Sequence, residues 1–291
     1  MLAIPRPILQ LKQNKTGGTV CSPLGRLLQR LPCAKYRKGS KARCHLLTHG
    51  TRHNVAARLT QLIAPYGYVQ PSHQWMPDGF NHTDEAQLDK APLLLPDARI
   101  RAQLAYWWLG SNTVKGTTPN WDIASTCTIE GHPGLLLIEA KAHHAELKDA
   151  RCAAAPGSES AQQIAHALQE ASNALTRAGS GQVWRLSPYD PVGMAGYDYQ
   201  MANRFAWAWK LTTLDIPVIL VYLGFLGADE MAGLGTSPIT SADDWDRAIR
   251  RHGQSMVPED IWERDTSTHG RLLIALIRAL DLPLAPVGVR Q

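Results

Sequence analysis

The stretch "PVILVYLGFL", residues 217–226, carries no charged side chain and only one glycine after its opening proline. A strand with one wet face alternates apolar and polar residues. A strand covered on both faces does not, and such strands usually lie parallel to a neighbour, because crossover connections place helices over the sheet. The preceding "DYQMANRFAWAWKLTTL", residues 198–214, is apolar on more than one side, as expected of a helix lodged between a sheet and another layer. A helix feeding a doubly buried strand implies an α/β sandwich in which that helix makes a right-handed crossover.

A second pair of β-rich runs lies upstream. Residues 121–129 and 135–142 flank "EGHPG", whose glycines and proline supply a turn, so an antiparallel hairpin is expected there. Helices are expected in four further places. Residues 81–90 open with cap-type Asn81 and Thr83 and stop before Pro92. After Asp97, Ile100, Leu104 and Trp107/Trp108 recur at helical spacing. Residues 160–178 carry a capping-box pattern at Ser160 and Gln163, an apolar stripe at Ile164, Leu168, Ala171 and Leu175, and a terminating Gly179. In the tail, residues 271–280 read as one more apolar helix.

Charge divides the chain. Residues 1–77 hold twelve Lys/Arg and no Asp or Glu, whereas residues 78–291 hold 18 basic and 25 acidic side chains, so +12 and −7 give the net +5. The pI near 9 therefore belongs to the N-terminal part. Residues 1–70, weakly periodic and rich in Gly, Pro and Lys, read as a basic extension with little fixed structure, and 71–291 as the folded α/β domain. The basic part either attracts phosphate backbones or is a disordered start.

The longest apolar stretch, residues 216–228, is shorter than the roughly 20 residues a helix needs to span a bilayer. No membrane partner is expected, and the prolines and polar residues of the start break any secretory signal, which leads to the expectation of a cytoplasmic protein. Five cysteines without a CxxC pair suit free thiols in a reducing compartment better than a zinc site.

Candidate chemistry lies at the end of the hairpin. Side chains alternate along a strand, so Leu135, Leu137, Glu139 and Lys141 share one face, which begins apolar and ends in an acid and a base. A turn centred near His132 brings Asp122 within a few positions of that pair. Two carboxylates can hold one or two Mg²⁺ ions that take their remaining ligands from water and substrate phosphate. Such an ion polarises a phosphoryl oxygen and activates water, and a neighbouring lysine orients that water or neutralises charge developing on phosphorus.

"WDIAST", a glycine turn and "LLLIEAKA" resemble the PD-(D/E)XK nuclease superfamily, the restriction-endonuclease-like fold. The resemblance covers about residues 80–226. It implies an αβββαβ core with a mixed sheet flanked by helices, and a Mg²⁺-dependent phosphodiester hydrolase, with Mn²⁺ as a possible substitute. It maps the metal aspartate onto Asp122, the strand acid onto Glu139 and the lysine onto Lys141. In some members a glutamate on the preceding helix adds a ligand, which here is Glu85. The helix after the motif presents a glutamine in several branches, for which Gln200, with Asn203 and Lys210 on nearly the same face, is the counterpart. Nucleic acid, DNA first, is the implied partner, and many such enzymes pair as homodimers.

Blander readings stand beside these. Glu139 and Lys141 also suit a cross-strand charge pair of little energetic weight. His143, His144 and Glu146, just past the strand, suit either phosphate or metal contact or an exposed strand end. Trp107, Trp207 and Trp209 read as core, whereas Trp75 and Trp184, in loop-like stretches, are candidates for base stacking. The main rival function is a module of the same fold that binds nucleic acid or protein without cleaving it. A third is glycoside hydrolysis by the two carboxylates.

Overall fold

The computed structural model describes residues 23–110, 116–148, 154, 157–179, 182–187, 199–233, 236–268 and 270–284. In chain order the helices are α1 (Pro23–Leu28), α2 (Gly39–Leu47), α3 (Arg52–Ile63), α4 (Ala98–Leu109), α5 (Glu159–Ala178), α6 (Tyr199–Thr213) and α7 (Ala242–Gly253). The strands are β1 (Gly67–Tyr68), β2 (Trp75–Met76), β3 (Ala86–Gln87), β4 (Asn120–Trp121), β5 (Ile123–Ile129), β6 (His132–Lys141), β7 (Val218–Leu226), β8 (Asp265–Thr268) and β9 (Arg271–Asp281).

The main sheet runs β1-β5-β6-β7-β9-β8, with β2 also on β5, and β3 pairs β4 separately. It is mixed. β6, β7 and β9 are parallel, while β5 lies antiparallel to β6 and β8 antiparallel to β9. Alternation along the three central strands divides the core. Leu135, Leu137, Leu220 and Ala275 join Leu104, Leu168, Phe205 and Ile249 of α4 to α7 on one face. Leu136, Ile138, Val221 and Leu276 join Leu47, Val55, Leu59 and Leu62 of α2 and α3 on the other. Burying each such leucine or isoleucine contributes about 1.5–3 kcal/mol, which explains why the strands lack polar positions. The protein is thus an α/β fold with a mixed sheet flanked by helices.

The hairpin forms as its sequence suggests, turning at Glu130 and Gly131, whose φ of 48° and 81° place both in the left-handed region. α4 begins at Asp97, whose side chain accepts the Arg99 N–H at 2.7 Å. α5 is capped by Ser158, two residues before the expected Ser160; its hydroxyl accepts the Ala161 N–H at 3.2 Å.

Four expectations are corrected. Within residues 23–70, expected as part of a loose extension, α2 and α3 supply one side of the core; Val55, Leu59, Leu62 and Ile63 recur at helical spacing and Thr51 caps α3. Residues 1–22 lie outside the described residues. Residues 81–90 form no α-helix: Ala86 and Leu88 are buried, Ala86 and Gln87 pair with β4, and a single 3-10 turn follows. The segment is polar and lacks a stripe that a helix could bury. The tail run 271–280 is strand β9, not a helix, because its apolar residues are covered from both sides of the sheet beside β7. Trp75 and Trp184 are also buried, at 5% and 4% exposure, and present no open ring for a base. Among the described residues no helix is long and apolar enough to cross a membrane.

Candidate active site

The site arises where β5 stops pairing with β6. The β5–β6 pairing ends at Ile123, the first residue of β5, opposite Ile138, so Asp122 just before it comes to stand beside Glu139. The Asp122 side chain takes over a ladder bond: its Oδ2 accepts the Ala140 N–H at 2.7 Å. On the other edge β6 is held by β7, with Glu139 opposite Tyr222 and Lys141 opposite Gly224. A Cβ at Gly224 would lie 2.6 Å from the Trp245 ring, so only glycine lets that indole close over the strand; its N–H reaches the Tyr222 carbonyl at 3.1 Å.

Glu139 and Lys141 are 2% and 7% exposed. The Lys141 ammonium donates to Glu139 Oε1. The other carboxylate oxygen, Oε2, receives Arg204 Nε at 2.7 Å and Nη2 at 2.6 Å. Arg204 is itself fixed. Its guanidinium lies 4.5 Å from the Trp121 ring centroid, Nη2 donates to the Asn120 carbonyl at 2.6 Å, and Nη1 donates to Asn203 Oδ1 at 2.8 Å.

These contacts set the protonation states. Burial and the Glu139 charge push the Asp122 carboxyl up to about 8, against the opposing pull of Lys141 and the Ala140 N–H. For Glu139 burial acts upward too, but Arg204 and Lys141 outweigh it and hold the group below the usual glutamate range. Burial acts downward on Lys141, and Glu139 and Asp122 outweigh it, so the ammonium stays charged.

All three groups open into a cleft of about 910 Å³. The structure therefore brings Asp122, Glu139 and Lys141 together. Glu85 lines the same cleft, from the segment before β3 instead of a helix, and its carboxylate holds Lys41 at 2.9 Å and the Asn120 amide at 3.1 Å. Gln200 and Asn203 project into the cleft from α6. Lys210 does not join them; it lies 5.2 and 5.5 Å from the Trp107 and Trp209 ring centroids and 3.4 Å from Glu170. His143 is buried outside the cleft lining, with Nε2 3.2 Å from Glu146. His144 turns away to Asp244 at 3.0 Å. Glu146 lines the cleft and accepts the Ala142 N–H at 2.9 Å.

Arg204 is the functional group that sequence reasoning missed. It is the only charged residue between Met201 and Trp209 in an otherwise mostly apolar helix, four residues after Gln200 and so on its face. A charge inside a buried helix needs a partner, and that was the available signal.

Among the described residues no group of three or more His, Cys, Asp or Glu side chains is placed to hold a metal ion. The donor set nevertheless suits Mg²⁺ or Mn²⁺, since such ions keep several waters and need only one or two protein carboxylates. Burial is the larger cause of the raised Asp122 carboxyl and the Glu139 charge adds to it; a cation held by the two carboxylates would relieve that second contribution. No family model, curated protein or solved structure matches the chain.

Proposed function

We propose that the protein is a divalent-cation-dependent phosphodiester hydrolase with a restriction-endonuclease-like core, acting on nucleic acid and on DNA first. The observation that carries this reading is the convergence of Asp122, Glu139 and Lys141 on one cleft at the end of a hairpin. Asp122 and Glu139 would hold the cation, which supplies Lewis-acid polarisation of a phosphoryl oxygen. Lys141 keeps a positive charge at the cleft floor, beside the phosphate oxygens on which negative charge develops. Arg204, pinned by Trp121 and the Asn120 carbonyl, sets the rotamer of Glu139 and adds a second fixed positive charge. Gln200 and Asn203 offer amides for orienting the strand.

Glu139→Gln, which keeps the shape of the side chain, is expected to lower cation-dependent cleavage of DNA by at least about 10²-fold with an unchanged circular dichroism spectrum. Cleavage at the wild-type rate in a folded variant removes Glu139 from the chemistry.

One observation favours a second reading. Both oxygens of Glu139 are already satisfied, by Lys141 and by Arg204. A module that uses the fold only to bind nucleic acid or protein needs no cation there. It predicts retention of DNA with no cation-dependent product.

A further inference from the structure

A second cleft, of about 540 Å³, adjoins the first, and Glu85, Gln87 and Asn120 line both. Tyr36, Lys41 and Lys90 line the second cleft. Ser40, one residue before Lys41, lines the first cleft, so the opening turn of α2 stands between the two. Glu85 bridges them: one carboxylate oxygen holds Lys41 and the other holds Asn120. Together the clefts form a groove with more room than one small ligand requires.

The segment that brings Tyr36 and Lys41 to this groove is basic, while the carboxylates Asp84 and Glu85 line the groove beside them. Residues 34–43, "AKYRKGSKAR", carry five cations and no acid. They do not play one role. Arg43 is fully buried and anchors α2 through Glu230, the Gly39 carbonyl and the Leu282 carbonyl. Arg37 leans on the carbonyls of Gln29 and Leu31 at 3.5 and 3.4 Å. Lys35 and Lys38 are exposed, and Lys35 and Lys41 stand 5.0 and 4.0 Å from the centroid of the half-buried Tyr36 ring. A ring set among ammonium groups beside a groove suits a strand whose phosphates and unstacked bases are both within reach.

We propose that this groove carries a single strand of nucleic acid, which runs from the Asp122, Glu139 and Lys141 floor past Glu85 to Tyr36, with its flanking phosphates on Lys35, Lys38 and Lys41. The inference rests on the hydrolase reading for the chemistry at the floor and adds the substrate class. Single-strandedness follows from depth. Glu139 and Lys141 are almost wholly enclosed, and an unpaired strand can bend a phosphate down to them, whereas a duplex presents its phosphates on a stiff convex surface.

The test is fluorescence anisotropy in chelator, with a labelled oligonucleotide of about 15 nucleotides as a single strand and as a duplex. Wild-type protein is compared with the Lys35→Glu/Lys38→Glu variant and with Arg177→Glu/Arg251→Glu, which makes the same charge change on exposed positions of α5 and α7. The single strand is expected to bind at least about 10-fold more tightly than the duplex to wild type. Lys35→Glu/Lys38→Glu is expected to weaken it at least about 10-fold and to reduce the slope of log affinity against log salt by about 1.4. The control should change it by less than about 3-fold. Equal affinity for the duplex, or equal losses in the two variants, overturns the proposal. Hydrolysis of bis(4-nitrophenyl) phosphate by the wild-type protein is assayed separately with Mn²⁺. Its absence counts against the hydrolase reading alone, and the anisotropy result still decides whether the groove takes a strand.

Discussion

Asp122→Asn is expected to make the protein more stable above neutral pH and to abolish the proposed hydrolysis. Burial and the Glu139 charge raise this carboxyl from its ordinary 3.8 to about 8. Between those values the folded protein keeps a proton that the unfolded chain has released. Stability therefore falls as pH rises through that window, and the loss is complete above the folded value. Asparagine is neutral throughout and can still accept the Ala140 N–H. The gain above pH 8 should be on the order of 2 kcal/mol, less than the full shift implies because the cleft admits water, and should vanish near pH 4. Urea unfolding of both proteins from pH 4 to 9 in chelator reads this directly. Adding Mg²⁺ at pH 8 should stabilise the wild type and leave the variant unchanged, since binding to the folded state alone raises stability. A variant less stable than wild type at every pH contradicts the electrostatic picture of the site.

Arg204→Ala acts in the opposite direction. It removes the partner of Glu139 Oε2 and leaves a carboxylate of 2% exposure with Lys141 alone, while the Asn120 carbonyl and Asn203 Oδ1 each lose a donor. Stripping one member from a buried ion pair costs about 3–5 kcal/mol, because the remaining charge stays desolvated. Arg204→Leu combined with Glu139→Gln removes this pair together but leaves the buried Lys141 ammonium without its carboxylate partner, so the double variant should recover only part of that loss. Equal destabilisation by Arg204→Ala and by the double variant would show that packing against Trp121, and not charge, holds Arg204 in place.

The sequence was most legible where one physical demand dominated. Residues 218–226 had to be a doubly buried strand because no polar position interrupts them, and the glycine turn between two β-rich runs made a hairpin. The same logic misread β9. An apolar run of ten residues fits either a buried strand or a buried helix, and only its pairing with β7 decides. α2 and α3 were hidden by composition: their acid-free, basic surface suggests a loose arm, yet Arg43 and Arg58 are drawn in by backbone carbonyls, and the apolar faces complete the core. At the site, strand alternation sufficed to pair Glu139 with Lys141. A lone charge in a mostly apolar helix marked Arg204 as needing a partner, but not which one, because Glu139 lies about 65 residues away and the facing of α6 depends on its packing against the sheet.

On the proposed reading, Asp122, Glu139 and Lys141 form a cation-dependent hydrolytic centre. The most direct measurement incubates the purified protein with a labelled single strand and with supercoiled plasmid, in Mg²⁺, in Mn²⁺ and in chelator, beside Lys141→Ala. Cleavage with either cation, none in chelator, and a rate at least about 10²-fold lower in the folded variant is the predicted result. Folded wild-type protein that cuts neither substrate with either cation, or cleavage that persists in chelator or in Lys141→Ala, would contradict it.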